Sequence, residues 1–214
     1  MDSGHQNSDV GLLLRLQAGD EEAFLVLYRR LQGPVYRFAL HMSGNRALAE
    51  DVVQETFMTL IQQSERFDPL RGQVSAFVFG IARNHLMRRF ERDRRMVPFP
   101  EAETEAGAIG KHGNPDTRNN SVVLRFSAPV DLARNETIEH VRDAVLDLPA
   151  HYREVVVLCD LQEISYEDAA GVLQCPVGTV RSRLHRARAL LAIKLRAFRQ
   201  TKPVSAVARV GARR

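Results

Sequence analysis

Tryptophan is absent from this chain, and only 7% of its residues are aromatic. Two cysteines among 214 residues cannot supply a disulfide framework, and they fit a reducing compartment. They lie in no C-x-x-C pattern and near no histidine pair, so Cys159 and Cys175 read as small buried hydrophobes rather than metal ligands. No apolar run approaches the length that crosses a bilayer. The polar, mildly acidic start MDSGHQNSDV lacks the pattern of a secretory signal, so the expectation is a cytoplasmic protein without membrane insertion. There is no glycine-rich phosphate loop, nucleophile elbow or zinc constellation. The chain is therefore expected to hold no catalytic residue, no cofactor and no metal, and not to be an enzyme.

One further absence is positive information. From Ala169 to Arg214 the sequence has nine arginines, two lysines and no acid, although the whole chain carries 26 acids and a net charge of only +4. A second basic knot, RNHLMRRFERDRR from Arg83 to Arg95, holds six arginines against Glu91 and Asp93. Segregation of this kind focuses a field toward a polyanion, although a solvated basic face gives the same pattern.

The rest of the chain reads as helix. From Asp9, apolar residues recur at helical spacing with short breaks; Asp20 is placed to cap a helix that carries Ala23, Phe24, Leu27 and Tyr28. Gly44-Asn45 breaks the pattern. Leu48, Val52, Thr56 and Leu60 then recur every four residues, widened by Val53 and Phe57. After the turn at Pro69 and Gly72, VSAFVFGIARNHLMRRFERDRR forms a long helix, apolar in its first half and charged in its second. From Val97 the pattern dissolves into Pro, Gly, Asn and acids, which reads as a linker. Within it VVLRF is either a short ordered element or a docking patch. Helical periodicity resumes at Leu132 and lasts to Leu195. The expected fold is all-α: two small helical domains, 9–96 and 132–196, joined by a flexible linker over 97–131, with a basic tail over 197–214.

Within the second domain, Ser165 is placed to cap a helix, with Asp168 three residues on, as in a capping box. Ala169, Ala170 and Leu173 form its inner face. Pro176 suits the first turn of the next helix, where Val177, Val180, Leu184, Ala187 and Leu191 share one face. Small residues at 169 and 170 let the two helices cross closely, as in a helix-turn-helix. The opposite face carries Thr179, Arg181, Ser182, Arg183, His185, Arg186 and Arg188. Such a helix enters the major groove, where an arginine can fork onto guanine. Arg188, Lys194 and Arg196 lie further along and are expected to meet the DNA backbone. A basic amphipathic helix in a plain bundle remains the alternative.

In the first domain, Asp51, Gln54 and Glu55 line a helix edge beside Phe57. The edge is either a solvated face or a contact for a basic partner helix. In the next helix, Phe77 and Phe79 adjoin Arg83, Asn84, Arg88, Arg89 and Arg92. Aromatics beside arginines suit single-stranded DNA, although the rings taken alone read better as core.

At this point the chain resembles a known family. GNRALAEDVVQETFMTL, FDPLRGQVSAFVFGIARN and LPAHYREVVVLCDLQEISYEDAAGVLQCPVGTVRSRLHRARALL are similar to regions 2 and 4 of bacterial RNA polymerase sigma factors of the extracytoplasmic-function (ECF) group. The resemblance covers about 21–95 and 139–195. It implies that Asp51, Gln54, Glu55 and Phe57 dock on the β′ clamp helices of core polymerase. It implies that the loop 67–74, with Arg71, and the helix bearing Phe77, Arg83, Asn84, Arg88, Arg89 and Arg92 capture and open the −10 element as single-stranded non-template DNA. It implies that Thr179, Arg181, Ser182, Arg183, His185 and Arg186 read the duplex −35 element, that Arg188 and Lys194 hold its backbone, and that region 4 touches the β-flap. Many relatives are held silent by an anti-sigma protein, which makes one a candidate partner here. The chain departs from the family at Phe77-Val78, where Trp-Leu is usual. Two other readings stay open: a helix-turn-helix regulator that binds operators without polymerase, and a helical adaptor that binds no DNA.

Overall fold

The structure is a computed structural model that describes residues 8–96 and 129–201, with side chains over 8–93 and 137–196. Every regular element described is helical. The first half contains α1 (Asp9–Gln17), α2 (Glu21–Ser43), α3 (Arg46–Gln63) and α4 (Val74–Met96), with two short 3-10 turns, Ser64–Arg66 and Pro69–Arg71, between α3 and α4. The second half contains α5 (Pro129–Leu146), α6 (Ala150–Val156), α7 (Tyr166–Leu173) and α8 (Val177–Thr201). A wider π turn over Val157–Leu161 extends α6.

Local chemistry sets the boundaries. The Asp20 carboxylate accepts from the amides of Glu22 and Ala23 and so caps α2. Its hydrogen bond to Arg15 is the main cause that holds its pKa below the usual carboxylate value. At the far end of α2, Gly44 takes a left-handed conformation (φ 69°), and Asn45 then caps α3 by accepting from the Leu48 amide. Ser165 caps α7 through the Asp168 amide, Gln174 turns left-handed after it, and the Pro176 carbonyl accepts from Thr179 and Val180 at the start of α8. Pro176 thus stands just before α8 rather than within it.

Helix α2 runs without a break through Gly33-Pro34, for 23 residues. Leu31, Val35 and Phe38 are buried on either side of it, and their packing outweighs the lost backbone hydrogen bond. Helicity in the second half begins at Pro129, inside the expected linker. The rest of that linker, with VVLRF, and the tail from Lys202 lie outside the described residues.

The core is aliphatic with a few rings. Leu12, Leu13, Leu27, Phe38, Val52, Leu60, Val78 and Leu86 fill the first half. Phe24, Tyr28 and Phe57 form an edge-on cluster beside them, with Tyr28 and Phe57 centroids 4.8 Å apart. Val145, Leu148, Val155, Leu158, Ala169, Val180, Leu184 and Ala187 fill the second. These residues form one continuous cluster, because α5, α6 and the π turn pack on α2 while α7 packs across α4. The halves are therefore docked on each other, where the sequence suggested independent domains.

Candidate nucleic-acid and polymerase interfaces

Helix α8 has the two faces that its periodicity predicted. Val180, Leu184 and Ala187 are buried, while Val177 and Leu191 pack partly against the same core. Ala169 and Ala170 are buried under them, which permits the close crossing of α7 and α8. Arg181, Ser182, His185, Arg186 and Arg188 are exposed, and Thr179 and Arg183 are half-buried. Arg181 reaches back to the start of α7, 5.9 Å over the Tyr166 ring and 3.8 Å from Glu167. Both members of that ion pair are well exposed, so it holds Arg181 only loosely.

Two of the three cations expected on the DNA backbone are engaged within the domain. Arg188 forks onto Asp160 at 2.6 and 3.1 Å, and this pairing raises its pKa further. Lys194 meets Asp147 at 2.9 Å. The half-buried Cys159 thiol beside Asp160 is pushed up to about 11, chiefly by burial. Among the described residues no cluster of His, Cys, Asp and Glu could hold a metal ion.

Helix α4 distributes its polar residues over three directions. Asn84, Arg88 and Arg92, four residues apart, form an exposed stripe. On one flank, Arg89 lies 3.0 Å from Glu55 and 3.4 Å from Asp51. His85 lies beside it, with Nδ1 3.0 Å from Glu55 Oε2 and Nε2 2.9 Å from Thr59 Oγ1. A neutral ring with its proton on Nδ1 satisfies both contacts. On the other flank, Arg83 Nε donates to Glu154 of α6 at 2.7 Å. The α4 arginines expected together on DNA are thus divided: Arg88 and Arg92 face solvent, Arg89 pairs with the acidic edge of α3, and Arg83 pairs with the second half.

The acidic edge of α3 is on the surface, with Asp51 and Gln54 exposed and Glu55 half-buried. Phe57 is 3% exposed and supports that edge from inside the core. Next to the edge, α2 and α3 border an open groove of about 980 Å³ floored by Phe24, Tyr28 and Phe57. Met58 and Ile61 stand exposed on its rim. Sequence periodicity missed these two, although their position off the Val52–Thr56–Leu60 stripe was the available signal.

The loop before α4 is built around Phe67 and Phe77, whose rings lie 5.6 Å apart. Phe77 is partly buried and Phe79 fully so. Leu70 and Arg71 project from the loop into solvent. Gly72 follows at φ 143°, and a Cβ there would come within 2.7 Å of Asp168 Oδ1, so only glycine fits. The Gln73 amide donates to the same oxygen at 3.3 Å.

Comparisons with known proteins agree with this arrangement. The family models for sigma-70 region 2 and sigma-70 region 4 match residues 27–96 and 138–191. The chain is 29% identical over 183 residues to the ECF RNA polymerase sigma factor SigW of Bacillus subtilis, covering 85% of this chain and 94% of that one. It is 30% identical over 197 residues to the ECF RNA polymerase sigma-E factor of Haemophilus influenzae, covering 89% and 96%. Among solved structures it is similar to CnrH in complex with the cytosolic domain of CnrY, with a TM-score of 0.59, 26% identity, and coverage of 87% and 96%. It is also similar to the sigma factor RpoE in complex with the anti-sigma factor NepR from Bartonella quintana, with a TM-score of 0.56, 26% identity, and coverage of 82% and 96%. Two matched regions in the right order, on two docked helical bundles with a basic helix-turn-helix, establish that this chain belongs to the ECF sigma factors of bacterial RNA polymerase, non-catalytic factors of transcription initiation.

Proposed function

We propose that this chain divides promoter recognition between its halves: residues 9–96 as region 2 and 132–196 as region 4, joined through 97–131, with 197–214 a basic tail. The observation that carries the reading is the separation of faces on α8, where an apolar stripe is buried and an acid-free polar stripe is exposed. Thr179, Arg181, Ser182, Arg183, His185 and Arg186 read the −35 duplex from that stripe. Arg188 and Lys194 serve the backbone once phosphate replaces Asp160 and Asp147 as their partner. Arg71, Phe77, Asn84, Arg88 and Arg92 meet the unpaired −10 strand, with Arg83 and Arg89 joining once released from their ion pairs. Asp51, Gln54 and Glu55 offer charge and hydrogen bonds to the β′ clamp helices, with Met58 beside them as an apolar contact and Phe57 as internal support. Region 4 also touches the β-flap.

The chemistry is exchange of binding energy. Unstacking and flipping a base costs a few kcal/mol. Contacts at two promoter elements on one chain offset that cost, because engagement at one raises the effective concentration of the other. The complex of the solved relative RpoE with the anti-sigma factor NepR supports an anti-sigma protein as a further partner. The absence of any described helix long and apolar enough to cross a membrane is compatible with work in the cytoplasm.

Run-off transcription with core polymerase and genomic fragments tests the proposal. Defined start sites that require this chain are expected; their absence with intact protein refutes it. In a binding assay with matched and scrambled −35 duplexes, Arg186→Ala removes about 1–3 kcal/mol of discrimination between them. An equal proportional loss on both sequences would assign Arg186 to phosphate instead.

A further inference from the structure

Two adjacent residues of α6 reach from the second half into the first. Arg153 donates to the Met42 carbonyl at 2.6 Å, near the C-terminus of α2. The same guanidinium donates to the carbonyls of Leu146 and Leu148 at the end of α5. A cation among carbonyls at two helix C-termini meets the negative ends of both dipoles. Burial pushes its pKa down, and the charge of Asp147 opposes that shift.

Glu154 is the neighbour of opposite sign. Its side chain is 8% exposed, and Arg83 of α4 lies against it with 21% of its own side chain exposed. A carboxylate buried to that degree is held in place by its partner, since removing the partner leaves an uncompensated charge. A third contact lies one helix further on. Asp168 Oδ2 accepts from the Ser165 hydroxyl at the cap of α7, while Oδ1 takes the Gln73 amide and packs on Gly72. Two of these contacts between halves therefore fall on region 2 residues proposed to meet single-stranded DNA: Arg83 and the Gly72-Gln73 backbone of the 67–74 loop. The outer face of α8 stays open.

We propose that Arg83–Glu154, together with the Asp168 grip on Gly72-Gln73, is an intramolecular latch that withholds Arg83 and the 72–73 backbone of region 2 from a single strand in the free chain, while leaving Asn84, Arg88, Arg92 and the −35 helix accessible. The latch is an exchange of anions. Arg83 has a carboxylate partner when closed and a DNA phosphate when open, and Glu154 becomes hydrated as the halves part. The apparent affinity for single strands is then the intrinsic affinity reduced by the fraction of open molecules. This inference rests on the reading of α4 as DNA-facing.

The test uses the full chain. In native protein the Gln73 amide exchanges slowly with solvent deuterium. Exchange at the rate of an unstructured amide would overturn the latch without any variant being needed. In Glu154→Gln, Gln73 exchange accelerates roughly tenfold or more, while amides of the α8 core keep their native rates. Affinity for a fluorescent mixed-sequence single-stranded oligonucleotide rises by a similar factor, and affinity for a mixed-sequence duplex stays within about twofold. The exchanged pair Arg83→Glu with Glu154→Arg restores slow Gln73 exchange. Unchanged exchange in Glu154→Gln refutes the latch. Faster exchange without a gain in single-strand affinity refutes its gating role. Arg88→Ala in the Glu154→Gln background separates the two readings: a loss of oligonucleotide binding supports α4 as the DNA-facing helix, and no loss removes that premise.

Discussion

Asp168 does two jobs with one carboxylate. One oxygen takes the capping hydroxyl of Ser165, and the other takes an amide 95 residues away in sequence. The first contact was legible from the Ser165-x-x-Asp168 spacing, because a cap is local chemistry. The second was not, because nothing in a linear sequence brings Gln73 to Asp168. The same division runs through the charged residues. Asp20 was placed correctly as a cap, whereas the partners of Arg188, Lys194 and Arg89 lie 28, 47 and 38 residues away. A free cation and a paired one look identical in a sequence. Cys159 supplies a residue-scale prediction. With its pKa at about 11, very little thiolate is present at pH 8. Alkylation by iodoacetamide at that pH should run roughly a hundredfold slower than for an unperturbed thiol, because the nucleophile is the thiolate. Peptide mass spectrometry over a time course measures the rate; labelling of Cys159 at the rate of free cysteine would show that its burial is not maintained.

At the scale of elements, periodicity was a reliable guide wherever one face is buried. The α8 stripe of Val180, Leu184 and Ala187 and the α3 stripe of Val52, Thr56 and Leu60 are inside, as their spacing requires. Periodicity alone said nothing of Gly33-Pro34, where local propensity disfavours helix and burial of both flanks overrides it. It was silent on how α4 shares its polar residues among three neighbours. Helix α8 is the element on which function depends most directly, since its arginines face outward only while its apolar stripe is held. Leu184 is fully buried in that stripe. Leu184→Ala should destabilise the second half by about 2–5 kcal/mol through lost burial and the cavity left behind. Chemical denaturation followed by circular dichroism would measure it. A loss below about 1 kcal/mol would mean that the α7–α8 crossing has been placed wrongly.

At the scale of the whole molecule, two regions that sequence alone separates behave in the structure as one packed body. Helix content and the two-region order were legible because they depend on local spacing. Docking was not, because it depends on the surfaces of α2 and α4 meeting those of α5, α6 and α7. A shared core predicts shared unfolding, since opening either half exposes apolar surface of the other. The native chain should therefore melt in a single calorimetric transition. Arg153 is the residue whose removal tests this most cleanly. Of its hydrogen bonds, the one to Met42 crosses between the halves, while those to Leu146 and Leu148 stay within the second. A hydrogen bond from a charged donor contributes about 1.5–3 kcal/mol, and docked domains move apart unless the interface between them is large and apolar. Arg153→Met keeps much of the apolar stem and removes the donors. It should split the single transition into two, with the second half melting first because it also loses the bonds at the end of α5. Two transitions in the native chain would mean that the docked state is not held at the temperatures where either half melts. One transition in Arg153→Met would transfer the coupling from this guanidinium to the apolar contacts around it.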